Sequence, residues 1–166
     1  MQCFTLCLSV VTVFKDCFDE AKSLLVWQPE TCAVGMGKVR VLLADDHETI
    51  LARVRKLLCA DFEVVGTASN GQDAITEVQR LDPDVLVIDI SMPVLDGLQA
   101  VAKLRSKKCR TKFVFLTVHE DLDFVGAAFS AGASGYVTKS HVNTDLVPAI
   151  REILEGRTFV SQSIPN

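Results

Sequence analysis

From Val39 to Gly156 the chain alternates two patterns. Short apolar runs give way to segments whose apolar residues recur at helical spacing, and then the cycle repeats. The apolar runs go from Val39 to Ala44, Phe62 to Ala68, Asp84 to Ile88, Phe113 to Thr117 and Tyr136 to Thr138. Between and after them five helices are predicted. The first starts near Glu48, with Ile50, Leu51, Val54, Leu57 and Leu58 at offsets 0, 1, 4, 7 and 8. That is the period of an amphipathic helix. The second runs from Gly71 to Leu81 with Ala74, Ile75 and Val78 inward, the third from Leu98 to Leu104, and the fourth from Leu122 to Ser130, stopped by Gly132. The last repeats the first helix's offsets with Leu146, Val147, Ile150, Ile153 and Leu154. Started near Thr144 or Asp145, it would hold Pro148 in its first turn, where a missing N–H costs little.

Strands alternating with helices in this way indicate an α/β domain with a parallel sheet. The fold class expected is a (βα)5 doubly wound five-stranded parallel sheet. Right-handed crossovers place helices on both faces, and the loops at the carboxyl ends of the strands collect on one edge, where such folds bind ligands.

The pattern changes near Ala33–Lys38. Residues 1–35 read as an N-terminal extension, residues 36–160 as the domain, and residues 161–166 as a tail or the start of a linker. The extension holds four of the six cysteines (Cys3, Cys7, Cys17 and Cys32), without a C-x-x-C pair. Neither zinc nor a disulfide framework is expected from that spacing. Its apolar stretch from Cys3 to Phe14 is too short to span a bilayer and lacks a preceding basic residue, so no membrane helix and no export signal are expected. The extension is expected to be dispensable to the domain. The 166 residues carry a formal charge of −4, with 49% hydrophobic and 23% charged residues. That balance excludes a disordered chain, and the acidity argues against a stand-alone DNA-binding domain.

The chemistry sits where strands end. Strand one ends in Asp45-Asp46, strand three in Asp89 and strand four in Thr117, and strand five is followed by Lys139. Each polar group terminates an apolar run, so all should converge on one edge. Three carboxylates brought together repel unless a cation intervenes. Magnesium suits such a site, since it takes oxygen ligands from one or two carboxylates plus phosphate oxygens. Lys139 adds a point charge able to meet a phosphoryl group, Thr117 adds a hydroxyl, and a carboxylate can be the nucleophile that accepts the group. Taken singly, Asp45 or Asp46 would read as a helix cap, Asp89 as a turn residue and Lys139 as a surface lysine. Chance placement of all of them at strand ends is improbable.

The segments VRVLLADDHE, DVLVIDISMPVLDG, FVFLTVHED and AGASGYVTKS resemble the receiver domain of two-component response regulators, in particular the LuxR/NarL-type subgroup. The resemblance covers residues 38–160, roughly three quarters of the chain. It implies the strand order 2-1-3-4-5. It further implies that Asp89 is the phosphoacceptor, and that Asp45, Asp46, Asp89 and the backbone carbonyl of Ser91 hold Mg2+. Thr117 and Lys139 would bind the phosphoryl group. Tyr136 would act with Thr117 as the switch, and Ser91 and His119 would modulate the phosphoryl lifetime. His119 is expected to face solvent rather than to ligate metal. One departure is Glu48, where the subgroup usually has proline.

The implied function is a phosphorylation-switched receiver that takes its phosphoryl group from a sensor histidine kinase in the cytoplasm. It would form a phosphorylation-dependent homodimer through helix four, strand five and helix five, whose exposed sides are expected to carry Phe124, Phe129 and Val142. Such a receiver is not a conventional turnover enzyme. The chain stops where the subgroup's linker to a helix-turn-helix domain would begin, so direct DNA binding by these residues is not expected. A stand-alone single-domain regulator is the main alternative. An aspartyl-phosphate phosphohydrolase would need a second acid two residues after Asp89, where Ser91 stands. A flavodoxin-like cofactor binder would need a hydroxyl-rich phosphate loop in place of Asp45-Asp46-His47. The basic run Lys103, Arg105, Lys107, Lys108, Arg110 and Lys112 falls at the opposite edge from the carboxylates. It reads as a solvated helix end.

Overall fold

The computed structural model describes residues 37–164. The expected extension 1–35 lies outside them. The elements are β1 (Arg40–Ala44), α1 (Glu48–Leu58), β2 (Glu63–Ala68), α2 (Gly71–Leu81), β3 (Val85–Ile88), α3 (Gly97–Ser106), β4 (Lys112–Thr117), α4 (Leu122–Ala131), β5 (Gly135–Thr138), α5 (Val142–Leu154) and β6 (Phe159–Val160). A single 3₁₀ turn, Lys139–His141, joins β5 to α5. The sheet order is β2-β1-β3-β4-β5-β6 and every pair is parallel.

Strand periodicity divides the core into two layers. Leu42, Ala44, Leu86, Ile88, Phe113, Phe115 and Tyr136 face a cluster completed by α2, α3 and α4. Their neighbours in the chain, Val41, Leu43, Val85, Val87, Val114, Leu116 and Val137, face a second cluster completed by α1 and α5. The central strands are therefore buried on both faces, which is why they read as continuous apolar runs. Helix boundaries follow local chemistry. The side chains of Asn70 and Asp96 accept hydrogen bonds from the N–H groups of Asp73 and Gln99 at the starts of α2 and α3, satisfying amides the helix leaves open. Gly132, at φ 112, ends α4 in a conformation that favours glycine.

The structure departs from expectation in three places. The sheet has a sixth strand, a two-residue ribbon on the edge of β5. α5 starts at Val142, not Thr144, so Pro148 lies inside the helix. Val142 is itself buried and takes the chain into the helix directly from the 3₁₀ turn. An interior proline costs about 3 kcal/mol, and the burial of Val142, Leu146, Ala149, Ile150 and Ile153 offsets it. Finally, Val142 belongs to the core and cannot contribute to an exposed patch, while Leu154, expected inward, is 36% exposed.

Two features of the core reach the carboxyl edge. Tyr136, wholly buried, is the largest of the fully buried side chains, and its hydroxyl donates to the His119 carbonyl at 2.9 Å. Gly97 starts α3 with its N–H on the Ile90 carbonyl at 2.9 Å. A Cβ at Gly97 would lie 2.0 Å from the Asp89 carbonyl oxygen, so the bare backbone is what lets α3 pack against the end of β3.

Burial pushes the Tyr136 phenol up to about 12, and the charges of Asp121 and Asp89 add to the rise. The folded chain thus favours the neutral phenol, whereas an exposed tyrosine ionises near pH ~10. The stability from this group is fully present below about pH 10 and is lost as the pH rises through about 12, roughly 2–3 kcal/mol in all. The chain has one tyrosine, so phenolate absorbance follows it alone. The midpoint should lie near 12 in the folded protein and fall to about 10 in urea; a folded-state midpoint of about 10 would mean that the ring reaches water. Gly97→Ala should lower stability by about 1–3 kcal/mol, measured by urea denaturation. An unchanged midpoint would show that α3 can retreat from Asp89 without cost.

Candidate functional site

The strand-end residues do converge. Asp45 and Asp89 each follow a strand by one residue, and each is held there by the sheet. The Asp45 N–H donates to Ala68 O at 3.1 Å and the Asp89 N–H to Ala44 O at 2.9 Å. Both carboxylates are nearly buried, each side chain 4% exposed. Lys139 reaches them from beyond β5. Its Nζ lies 2.6 Å from Asp45 Oδ2 and 2.8 Å from Asp89 Oδ2. The other Asp89 oxygen accepts from the Ile90 N–H at 2.7 Å. Burial alone would disfavour the Lys139 ammonium, but hydrogen bonds to Asp45 and Asp89 more than reverse this, and its pKa rises. The ammonium is thus the neutralising cation that the carboxylates require.

Asp46 and His47 stand at the mouth. His47 Nδ1 is 2.7 Å from Asp46 Oδ1 and 3.4 Å from Asp45 Oδ1, and the His47 N–H donates to Asp45 Oδ1 at 2.9 Å. Ligand atoms of Asp45, Asp46 and His47 lie within 4.8 Å of one another. This donor set suits a small hard cation on its carboxylate side. Asp45 Oδ2 is buried, and the contact given for it is the Lys139 ammonium at 2.6 Å, so a cation entering here would share this oxygen with Lys139. Magnesium prefers such oxygens to imidazole nitrogen. His47 is therefore a companion of Asp46 rather than a magnesium ligand. Its place directly after Asp46 is the sequence signal for this pairing.

Thr117, fully buried, ends β4, and its hydroxyl accepts from the His119 N–H at 3.4 Å. His119 is only partly exposed, contrary to the expectation that it faces solvent. Its ring stacks on Phe124, with centroids 4.0 Å apart and planes 13° from parallel, and its Nε2 is 3.0 Å from Ser91 Oγ. The backbone of His119 meets Thr117 on one side and Tyr136 on the other. The loops after β3 and β4 are thus tied together at the rim. Ser140, after β5, ties in a third loop by donating to Glu120 Oε1 at 3.0 Å. Val94, in the loop after β3, has φ 69 and is 85% exposed, a conformation that costs a β-branched residue roughly 1–2 kcal/mol.

Comparison with known proteins agrees with this geometry. Residues 41–151 match the family profile described as "Response regulator receiver domain". The chain is 35% identical over 128 residues to the response regulator UvrY of Escherichia coli strain K12, covering 76% of this chain and 59% of UvrY. It is 36% identical over 129 residues to the response regulator GacA of Pseudomonas aeruginosa, covering 76% of this chain and 60% of GacA. The chain therefore spans about three fifths of the length of these curated relatives. Among solved structures it resembles a LuxR-family two-component response regulator from Aurantimonas sp. SI85-9A1, at TM-score 0.73 and 34% identity over 76% of this chain and 92% of that one. It also resembles the signal receiver domain of the putative response regulator NarL from Mycobacterium tuberculosis, at TM-score 0.69 and 33% identity over 72% of this chain and 98% of that one. With this fold, this strand order and these matches, the chain belongs to the response regulator receiver family and is related to its LuxR/NarL-type members.

Proposed function

We propose that residues 36–160 act as a phosphorylation-switched receiver, taking a phosphoryl group on Asp89 from the phosphohistidine of a sensor histidine kinase. The observation that carries this reading is the Lys139 ammonium within 3 Å of both Asp45 and Asp89. A carboxylate oxygen of Asp89 attacks phosphorus, and the donor's P–N bond breaks with its electron pair leaving on the imidazole nitrogen. An acyl phosphate results. The added charge, about −1.5 to −2 if it resembles phosphate esters, draws Lys139 away from its bridging position. The Thr117 hydroxyl turns to a phosphoryl oxygen. Asp45, Asp46, Asp89 and the Ser91 carbonyl would hold Mg2+, which supplies charge neutralisation for a transfer that depends mainly on positioning. Ser91 and His119, joined at the rim, bear on how readily water reaches the acyl phosphate.

The switch passes through Thr117 and His119 to Tyr136, and from there to the face formed by α4, β5 and α5. The apolar surface near that face is Leu122 and Val160, with Phe124 and Phe129 partly exposed. We assign homodimerisation to this face and no direct DNA binding to these 166 residues. Among the described residues no helix is long and apolar enough to cross a membrane; the cytoplasmic location we propose rests on the kinship with response regulators. The whole protein, of which the receiver is one part, is proposed to act as a transcriptional response regulator. A partner is sensitive to the switch only through its differential affinity for the two states.

Incubation with acetyl phosphate should label Asp89 alone, and only with Mg2+. Trapping the acyl phosphate and locating it by mass spectrometry checks this, and Asp89→Asn should reduce labelling to background. Undiminished labelling of that variant would sink the assignment. Sedimentation velocity should show monomers shifting towards dimers on addition of Mg2+ and beryllofluoride, a phosphoryl mimic. The same sedimentation coefficient at every concentration, with and without the mimic, would remove homodimerisation as the readout.

A further inference from the structure

The segment after α5 does more than lengthen the sheet. β6 pairs with β5 for two residues, with Phe159 opposite Gly135 and Val160 opposite Tyr136. The Ser161 N–H continues the ladder to Tyr136 O at 2.9 Å. There backbone pairing ends and side chains take over. Thr138 donates its N–H to Ser161 Oγ at 3.2 Å, and its hydroxyl lies 3.1 Å from Ser163 Oγ. Ser161 Oγ in turn donates to Asp145 Oδ2 on α5 at 2.5 Å. The chain then turns, with the Ile164 N–H on Ser161 O. Ile164 is buried in the apolar cluster that contains Tyr136, while Phe159 packs against the opposite cluster. The segment straddles the sheet edge and grips β5 from both faces.

A segment that merely covered an exposed edge would need backbone pairing and no more. Here two serine hydroxyls of the segment meet at Thr138, a wholly buried residue whose hydroxyl also accepts from Ser140 Oγ at 3.0 Å and lies 3.2 Å from His141 Nδ1, and whose next neighbour is Lys139. The Lys139 side chain must reach past β4 to carboxylates on β1 and β3, so its reach depends on where the end of β5 is held.

We propose that Phe159–Ile164 is a strap that positions Lys139 through Thr138, with Ser161 and Ser163 as positioning residues, so that strap docking and phosphoryl occupancy form one coupled equilibrium. This rests on the assignment of Lys139 as a phosphoryl ligand. Coupling of two binding events is reciprocal. A phosphoryl group captured by Lys139 tightens the strap, and loosening the strap weakens capture by the same factor.

Hydrogen–deuterium exchange on the full chain, with Mg2+ and with or without beryllofluoride, tests the first half and needs no variant. Exchange at residues 159–164 should slow about fivefold or more when beryllofluoride binds. Titration of Ser161→Ala with beryllofluoride tests the second half. Its affinity should fall by about the same factor, well below the temperature at which either protein unfolds, whereas Gln162→Ala, at an exposed position of the same strap, should bind as the wild type does. A purely structural role for Ser161 would lower Tm and leave the affinity alone. Unchanged exchange at 159–164, faster exchange there, or wild-type affinity in Ser161→Ala would each overturn the proposal. A wild type that binds no beryllofluoride and forms no acyl phosphate would instead overturn the phosphoacceptor reading beneath it.

Discussion

The ammonium of Lys139 between Asp45 and Asp89 is the interaction on which the rest of the site depends. Two buried carboxylates at the end of one sheet repel each other, and the fold brings them there regardless. Near a protein surface, opposite charges 4 Å apart attract by about 4 kcal/mol. Withdrawing each ion from water costs several kcal/mol. The desolvation cost offsets much of the attraction, so the pairing is weak evidence of stability. What it provides is a cation with its charge held in reserve beside a carboxylate that can act as a nucleophile.

In the proposed switch, the surroundings would convert phosphorylation into a change of shape. Strand parity sends Tyr136 into the layer under α4 and Val137 into the layer under α5, so β5 contacts both helices of the proposed output face. The hydroxyl of Tyr136 ends on the backbone of His119, which also contacts Thr117. A displacement of Thr117 is therefore felt in the core one strand away. On the other side, Gly97 lets α3 stand against the Asp89 carbonyl, which stiffens the carboxylate's own backbone. That contact braces the acceptor side of the site, as the proposed switch requires. The proposed strap lies on β5, on the other side.

Much of this was legible in the chain. α2 has the bounds its periodicity predicts, and the other expected helices and the five expected strands shift by only a few residues at their ends. These patterns are local: a period of two or of 3.6 depends only on which face of an element is buried. The polar residues Asp45, Asp89, Thr117 and Lys139 were legible for the same reason, because each interrupts an apolar run at a strand end. The family resemblance then implied the roles proposed for them.

Tertiary structure decided what no local period encodes. β6 is two residues long and followed by hydroxyl side chains, so it carries no readable alternation, and it exists because β5 offers an unpaired edge. Pro148 sits inside α5 because Val142 is buried by its neighbours, which overrides the preference of proline for a first turn. His119, polar and in a loop, read as solvated, yet Phe124 on α4 supplies a ring to stack on and Ser91 supplies a hydrogen-bond partner. The chain determined which groups could react, through residue type and period. Their spacing of a few ångströms came only with the packing, since residues up to 94 positions apart, Asp45 and Lys139, meet only when β1, β3 and β5 lie in one sheet.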